Sequence, residues 1–314
     1  MASSEEGLVN LVELLKAALF GLVEGITEWL PISSTGHMLL LDQFVRLDVS
    51  EQFWNMFLVV IQLGAILAVL VLFFHELNPF SRAKSPEERR GTWSLWGKIV
   101  LACVPAAVVG LPLDDWMTEH LDGPFVIAVA LVAYGVAFIV IERVRASRAR
   151  ALTSSHGAHF ALPEAAEGAS ATVLADEEAP VQDVSELGWG RALGIGLFQV
   201  LSLVPGTSRS GSTIIGGLLL GCSRTVASEF TFYLAIPVMF GASALKLVKY
   251  FVAGNVPTAT EGMTLLVGCV VAFLVSIAAI RFLMGFVRKH SFEPFGWYRI
   301  VLGALVIAYF ALVA

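Results

Sequence analysis

The chain has 314 residues, 57% of them hydrophobic and 15% charged, with a formal net charge of −6. Soluble domains carry about 25% charged residues, so a water-soluble fold is excluded, a polytopic membrane protein is the natural class, and no nucleic-acid partner is expected. Cys103, Cys222 and Cys269 stand in apolar surroundings without metal-like spacing, which points to packing rather than a disulfide framework.

The N-terminus, "MASSEEGLVN", is acidic and lacks the basic start of a signal peptide, so the first apolar segment is expected to stay in the protein. Residues 8–46 follow, apolar at both ends and broken in the middle by "LPISSTGH". A spanning helix needs about 20 mostly apolar residues. Six segments satisfy this: 54–74, 93–113, 124–142, 226–250, 263–287 and 295–313. Between the third and fourth lie 147–188, rich in Ala, Ser, Glu and Gly and expected to form a flexible cytoplasmic loop with solvated histidines at His156 and His159. Residues 189–222 are then broken like 8–46, here by "VPGTSRSGST". Irregular backbone at membrane depth is tolerated only where protein or water covers it, so 8–46 and 189–222 are predicted to be re-entrant helical hairpins. "SFEPFGWYRI" (291–300) suggests interfacial anchoring by Trp297 and Tyr298.

Loop charge sets the orientation. Residues 76–98 carry Arg82, Lys84, Arg89, Arg90 and Lys98, and 143–150 carry four arginines. By contrast, 114–122 holds Asp114, Asp115, Glu119 and Asp122, and 251–262 only Glu261. The positive-inside rule makes the basic loops cytoplasmic. The first hairpin then enters from outside, the second from the cytoplasm, and both termini are external.

The halves resemble each other. "GLVEGITEWLPISSTG" from Gly21 and "GLFQVLSLVPGTSRSG" from Gly196 share a glycine, an acid or amide three residues on, and a proline before a polar cluster. With an odd number of crossings between them these are inverted repeats, which place a site near the midplane between broken helices. The expected architecture is all-α: a first repeat over 1–146, the loop 147–188, and a second repeat over 189–314.

The two turns carry the chemistry. Glu24 and Glu28 are spaced i,i+4 and share a helix face. Two carboxylates in a dry place need a proton or a cation between them, and a hard ion such as Mg²⁺ or Ca²⁺ suits oxygen donors. Glu28 is alternatively a general base. Ser33 or Ser34 can cap the next half-helix, with Thr35 beside them, and His37 lies one turn on, where it can activate a hydroxyl or water or accept a phosphoryl group. The second turn offers Gly206 and Gly211 for close backbone approach, Ser208, Ser210, Ser212 and Thr213 as donors, and Arg209 as a positive fork for phosphate. Gln199 aligns with Glu24. This inventory suits a diphosphate together with a divalent cation.

At "EGITEWLPISSTGH" and "PGTSRSGST" the chain resembles the undecaprenyl-diphosphate phosphatase family, the bacitracin-resistance proteins, with support from "IQLGAILAV", "RTVASEFTFYLAIPVM" and "SFEPFGWYR". The likeness covers nearly everything except about 147–187. It implies hydrolysis of undecaprenyl diphosphate to the monophosphate and inorganic phosphate, which recycles the lipid carrier of peptidoglycan synthesis and confers bacitracin resistance. It also implies a divalent cation and a multi-pass protein of the bacterial plasma membrane with its site open to the outer side. By motif position, Glu24 and Glu28 become the acidic pair, Ser34 and His37 the nucleophile and its partner, and Arg209 the phosphate clamp. Ser208, Ser210 and Thr213 become supporting ligands, with Ser33, Thr35, Gly211 and Gln199 as further substrate-binding candidates. Whether Ser34, His37 or water attacks stays open. The partners expected are the lipid diphosphate, the bilayer and, as a candidate, a second copy of the chain. The rival reading is a transporter or flippase of a polyprenyl phosphate.

Overall fold

The computed structural model describes residues 2–121, 123–156 and 171–313. His159 and the centre of the expected 147–188 loop lie outside the described residues. In chain order the helices are α1 (Ala2–Thr27), α2 (Ser34–Phe44), α3 (Glu51–Leu72), α4 (Phe74–Leu77), α5 (Pro86–Leu121), α6 (Pro124–His156), α7 (Ala171–Glu177), α8 (Trp189–Val200), α9 (Arg209–Leu219), α10 (Arg224–Val252), α11 (Ala259–Val287) and α12 (Glu293–Val313). Among the described residues there is no strand, only one isolated bridge between Val181 and Cys222. The protein is all-helical.

Six of these helices have the length and apolarity to cross a membrane: Glu51–Leu72, Pro86–Leu113, Pro124–Ala151, Arg224–Val252, Ala259–Val287 and Glu293–Leu312. They are the six segments expected from hydropathy, with individual ends shifted by up to nine residues. Helices α2, α8 and α9 have 11, 12 and 11 residues. At a rise of about 1.5 Å per residue each reaches less than about 20 Å, short of the roughly 30 Å hydrocarbon core.

The stretch 147–188 carries more regular structure than expected at both ends. Helix α6 runs on to His156 through "RVRASRARAL", because Ala and Arg are strong helix formers. Helix α7 docks through Asp176, which accepts the Arg224 backbone N–H at 2.7 Å. Burial pushes the Asp176 carboxyl above its ordinary range, against the pull of Arg224 and Arg145 beside it. Asp183 then caps a 3₁₀ turn at Val184–Glu186.

The chain forms two compact units that interleave in sequence. One comprises Met1–Leu30, Ser34–Trp96 and Phe232–Arg281. Its core gathers Ala17, Phe20, Phe53, Phe57, Ile61 and Tyr250, with Phe20 set edge-on to Trp54 at 5.0 Å. Ser50 caps α3 and also donates its hydroxyl to Glu261, which ties the start of α3 to α11. The other unit comprises Pro31–Ser33, Gly97–Thr231 and Phe282–Ala314. Here α6 and α12 approach backbone to backbone at Gly135 and Gly296, where a Cβ on either would lie 2.6–2.7 Å from the other's carbonyl oxygen. Small residues permit such close packing where lipid competes with protein for apolar surface.

Candidate active site

The first polar turn begins where α1 ends. Glu24 and Glu28 are one helical turn apart, and the Glu28 N–H still bonds the Glu24 carbonyl at 3.0 Å. Both side chains are buried. The next residue, Trp29, is fully buried and packs edge-on against Phe232 at 5.3 Å, which anchors this end of the turn. Past Pro31 the backbone reverses at Ser33, a buried residue with φ of 72°. Ser34 opens α2, and its hydroxyl donates to Glu28 Oε2 at 2.8 Å. Thr35 is exposed and His37 half-buried, both in the first turn of α2. The structure therefore brings Ser34 and Glu28 together, so the carboxylate stands where a proton acceptor for that hydroxyl is needed.

The second turn has the same backbone signature. Ser33 and Ser208 both have φ of 72° and, among the described residues, are the only non-glycines with positive φ. Each immediately precedes an 11-residue helix. Such conformations cost about 1–3 kcal/mol and gather at functional sites. Gly206, with φ of +88°, packs its backbone on α6, and a Cβ there would lie 2.5 Å from the Ile127 carbonyl oxygen.

Ser208 caps α9 by accepting the Gly211 N–H at 3.2 Å, and its hydroxyl lies 3.1 Å from that of Ser210. Ser212 donates to the Ser208 carbonyl. Thr213 is fully buried, donates to the Arg209 carbonyl and accepts from Thr231, so its hydroxyl is engaged in holding the helix start. The Arg209 guanidinium donates to the Thr231 carbonyl at 3.1 Å and remains partly exposed. Gly211 and Ser210 are buried beneath it. A helix N-terminus carries partial positive charge, and with Arg209 beside it the turn is suited to an anion. Gln199, at the end of α8, is 1% exposed, and neither of its amide atoms has a hydrogen-bond partner among the described residues. Buried amides are seldom left unsatisfied, which fits a side chain that binds substrate.

One residue that the sequence reading passed over organises these turns. Arg299, fully buried on α12, donates to the carbonyls of Pro31 (3.2 Å), Gly206 (3.0 Å) and Thr207 (2.8 Å). Its guanidinium also lies 5.4 Å from the ring centre of Tyr134. A single planar fork thus holds backbone from both turns. Trp297 and Tyr298, by contrast, are about half exposed.

For a divalent cation the donors at hand are the carboxylates of Glu24 and Glu28. Among the described residues no group of three or more His, Cys, Asp or Glu side chains converges. Two carboxylates fit a cation that completes its shell with water and phosphate oxygens, as Mg²⁺ does.

Comparison with known proteins follows the same lines. The Undecaprenyl-diphosphatase of Limosilactobacillus fermentum is 49% identical over 304 residues, 97% of this chain and 100% of that protein. The Lactiplantibacillus plantarum protein of the same name is 50% identical over 303 residues, 96% of this chain and all of its own length. That of Streptococcus thermophilus is 51% identical over 299 residues, 95% of this chain and 94% of that protein. The sequence model described as "Bacitracin resistance protein BacA" matches residues 17–305. The chain belongs to the bacitracin resistance protein BacA family.

Proposed function

We propose that this protein is the membrane phosphatase that hydrolyses undecaprenyl diphosphate to undecaprenyl phosphate and inorganic phosphate. It recycles the lipid carrier for peptidoglycan synthesis and so confers bacitracin resistance. Full-length relatives at about half identity bear the name Undecaprenyl-diphosphatase. The observation that carries the reading at the level of residues is the Arg299 fork, which anchors Pro31 of the acidic turn and Gly206 and Thr207 of the anion turn on one side chain.

The two broken regions act as re-entrant hairpins of an inverted repeat in the bacterial plasma membrane, with both termini and the site on the outer side. Support comes from the short α2, α8 and α9, from the shared φ at Ser33 and Ser208, and from the loop charges. Arg209, Ser208, Ser210 and the start of α9 bind the diphosphate, with Gln199 donating from α8. The Ser34 Oγ attacks the terminal phosphorus. Its proton passes to Glu28 Oε2, to which it is already bonded. The bond from that phosphorus to the bridging oxygen breaks, and undecaprenyl phosphate leaves. His37 then takes the proton of the water that displaces inorganic phosphate from Ser34, and Glu28 returns its proton to the Ser34 Oγ as that bond breaks. Glu24 and the second Glu28 oxygen would hold a divalent cation, which when bound neutralises charge on the transferring phosphoryl group, the main demand of this chemistry.

The purified full-length protein in detergent, with Mg²⁺ and undecaprenyl diphosphate, tests the reading, because no transport exists there. Phosphate is released by the wild type, and Arg209→Ala and Glu28→Gln each abolish release. A well-folded wild type that releases no phosphate would instead favour the flippase reading, which the broken-helix architecture also suits.

A further inference from the structure

A groove of about 470 Å³ runs beside the anion turn. One wall is the N-terminal half of α6, with Phe125, Val129 and Ala133. The other is the descending backbone of the second turn, with Leu201, Val204 and Thr207. Phe125, Val129 and Leu201 are 53%, 63% and 49% exposed, so this end of the groove is open at the surface of α6, a helix apolar and long enough to span a membrane. The opposite end closes on Tyr134 and Thr207. The Tyr134 hydroxyl lies 3.4 Å from that of Ser212, and its ring lies beneath the Arg299 guanidinium. The Thr207 carbonyl is bonded to Arg299, and the residue immediately precedes Ser208, the cap of α9.

A path along the groove therefore starts among lipid tails and ends at the phosphate-binding helix start. Only an amphiphile with an anionic head and a hydrocarbon chain satisfies both ends at once. A bilayer lipid gains nothing there over its neighbours, since lipid tails and apolar side chains are alike in polarity. A chain tethered to a headgroup on α9 gains position instead. The volume falls in the range of ordinary ligand sites, about 300–1,000 Å³, and a 55-carbon chain overfills it. We infer that this groove seats the head-proximal isoprene units of the polyprenyl diphosphate and so orients the reacting phosphate, while the rest of the chain lies in the membrane.

The inference rests on Arg209 and the start of α9 being the phosphate site, and the test keeps the two apart. Ala133 is exposed, so Ala133→Phe fills the groove without displacing core. With the full chain, Mg²⁺ and undecaprenyl diphosphate in detergent, its KM rises about tenfold, the range in which a misfitted apolar pocket discriminates. Its kcat stays within about twofold, as expected when uniform binding is lost. The inhibition constant of inorganic pyrophosphate, which probes the headgroup site alone, is unchanged. An unchanged KM in a variant with wild-type melting overturns the groove. An unchanged pyrophosphate constant in Arg209→Ala overturns the phosphate site instead. Should Ala133→Phe fail to fold, a farnesyl diphosphate carrying a diazirine on its first isoprene unit decides on the wild type. Adducts at 125–134 or 201–207 that undecaprenyl diphosphate competes away support the groove, and adducts confined elsewhere refute it.

Discussion

Ser34 donates its hydroxyl to Glu28 Oε2 over 2.8 Å, across the turn that separates α1 from α2. A hydroxyl aimed at a carboxylate suits a nucleophile–base pair, and we propose Glu28 as its first proton acceptor. Ser34→Ala should lower kcat by about 10³-fold, within the span of general-base and nucleophile losses. His37→Ala should slow the second half-reaction, so that phosphate release lags behind undecaprenyl phosphate formation in a rapid-quench experiment. Equal first-turnover rates in wild type and Ser34→Ala would show that water, not Ser34, attacks.

Glu24 is buried one helical turn before Glu28. Its expected duty is the cation. Glu24→Gln should raise the Mg²⁺ concentration for half-maximal activity by about 10²-fold, with kcat at saturating Mg²⁺ largely restored. Chelation should abolish turnover of the wild type reversibly. A loss in Glu24→Gln that no Mg²⁺ concentration rescues would assign the residue to structure.

The spans were legible because burial in lipid demands a long apolar run, and nothing else in a helical membrane protein competes with that signal. The two turns were legible because Pro, Gly and Ser interrupt such runs at a cost that needs a reason. Arg299 was not, although an arginine followed by "IVLGALVIAY" is an intramembrane charge of the kind that marks function by default. The neighbouring Trp297 and Tyr298 suggested an interfacial belt and masked it. The partners of Arg299 are backbone carbonyls of Pro31, Gly206 and Thr207, and a carbonyl has no signature in sequence. The docking of α7 was hidden for a related reason, since Asp176 meets Arg224 only through folding.

Arg299 itself yields a prediction. Its fork serves carbonyls from both turns, and each buried acceptor left without a donor costs about 1–3 kcal/mol. Arg299→Ala should therefore fold poorly. Arg299→Lys keeps the charge but not the planar fork, and one ammonium cannot direct donors to Pro31 and Thr207 together. This variant should fold but melt below the wild type, and lose about 10²-fold in kcat, the cost of misplacing reacting groups by about 1 Å. Wild-type kcat in a folded Arg299→Lys would show that charge alone suffices.

Stability should depend most on a pair far from this chemistry. Glu142 and Arg224 are fully buried and joined by two hydrogen bonds of 2.8 and 2.6 Å, and Glu142 also accepts the Phe292 N–H. The pair ties α6, α10 and the start of α12 across 82 residues of sequence. Removing Arg224 strands Glu142 as a buried charge, at about 3–5 kcal/mol, and removing Glu142 leaves the Arg224 guanidinium with a 3.8 Å contact to Asp176 in place of the two short bonds. Glu142→Leu and Arg224→Met should each lower the melting temperature sharply in detergent. The double variant should recover most of the loss, because apolar groups of similar volume often replace a buried pair without penalty. Recovery stays incomplete, since the Phe292 N–H loses its acceptor. Folded protein of every variant should keep wild-type kcat, as neither residue touches the proposed site. A double variant as unstable as the singles would mean that the pair is held for its packing shape and not for its charge balance.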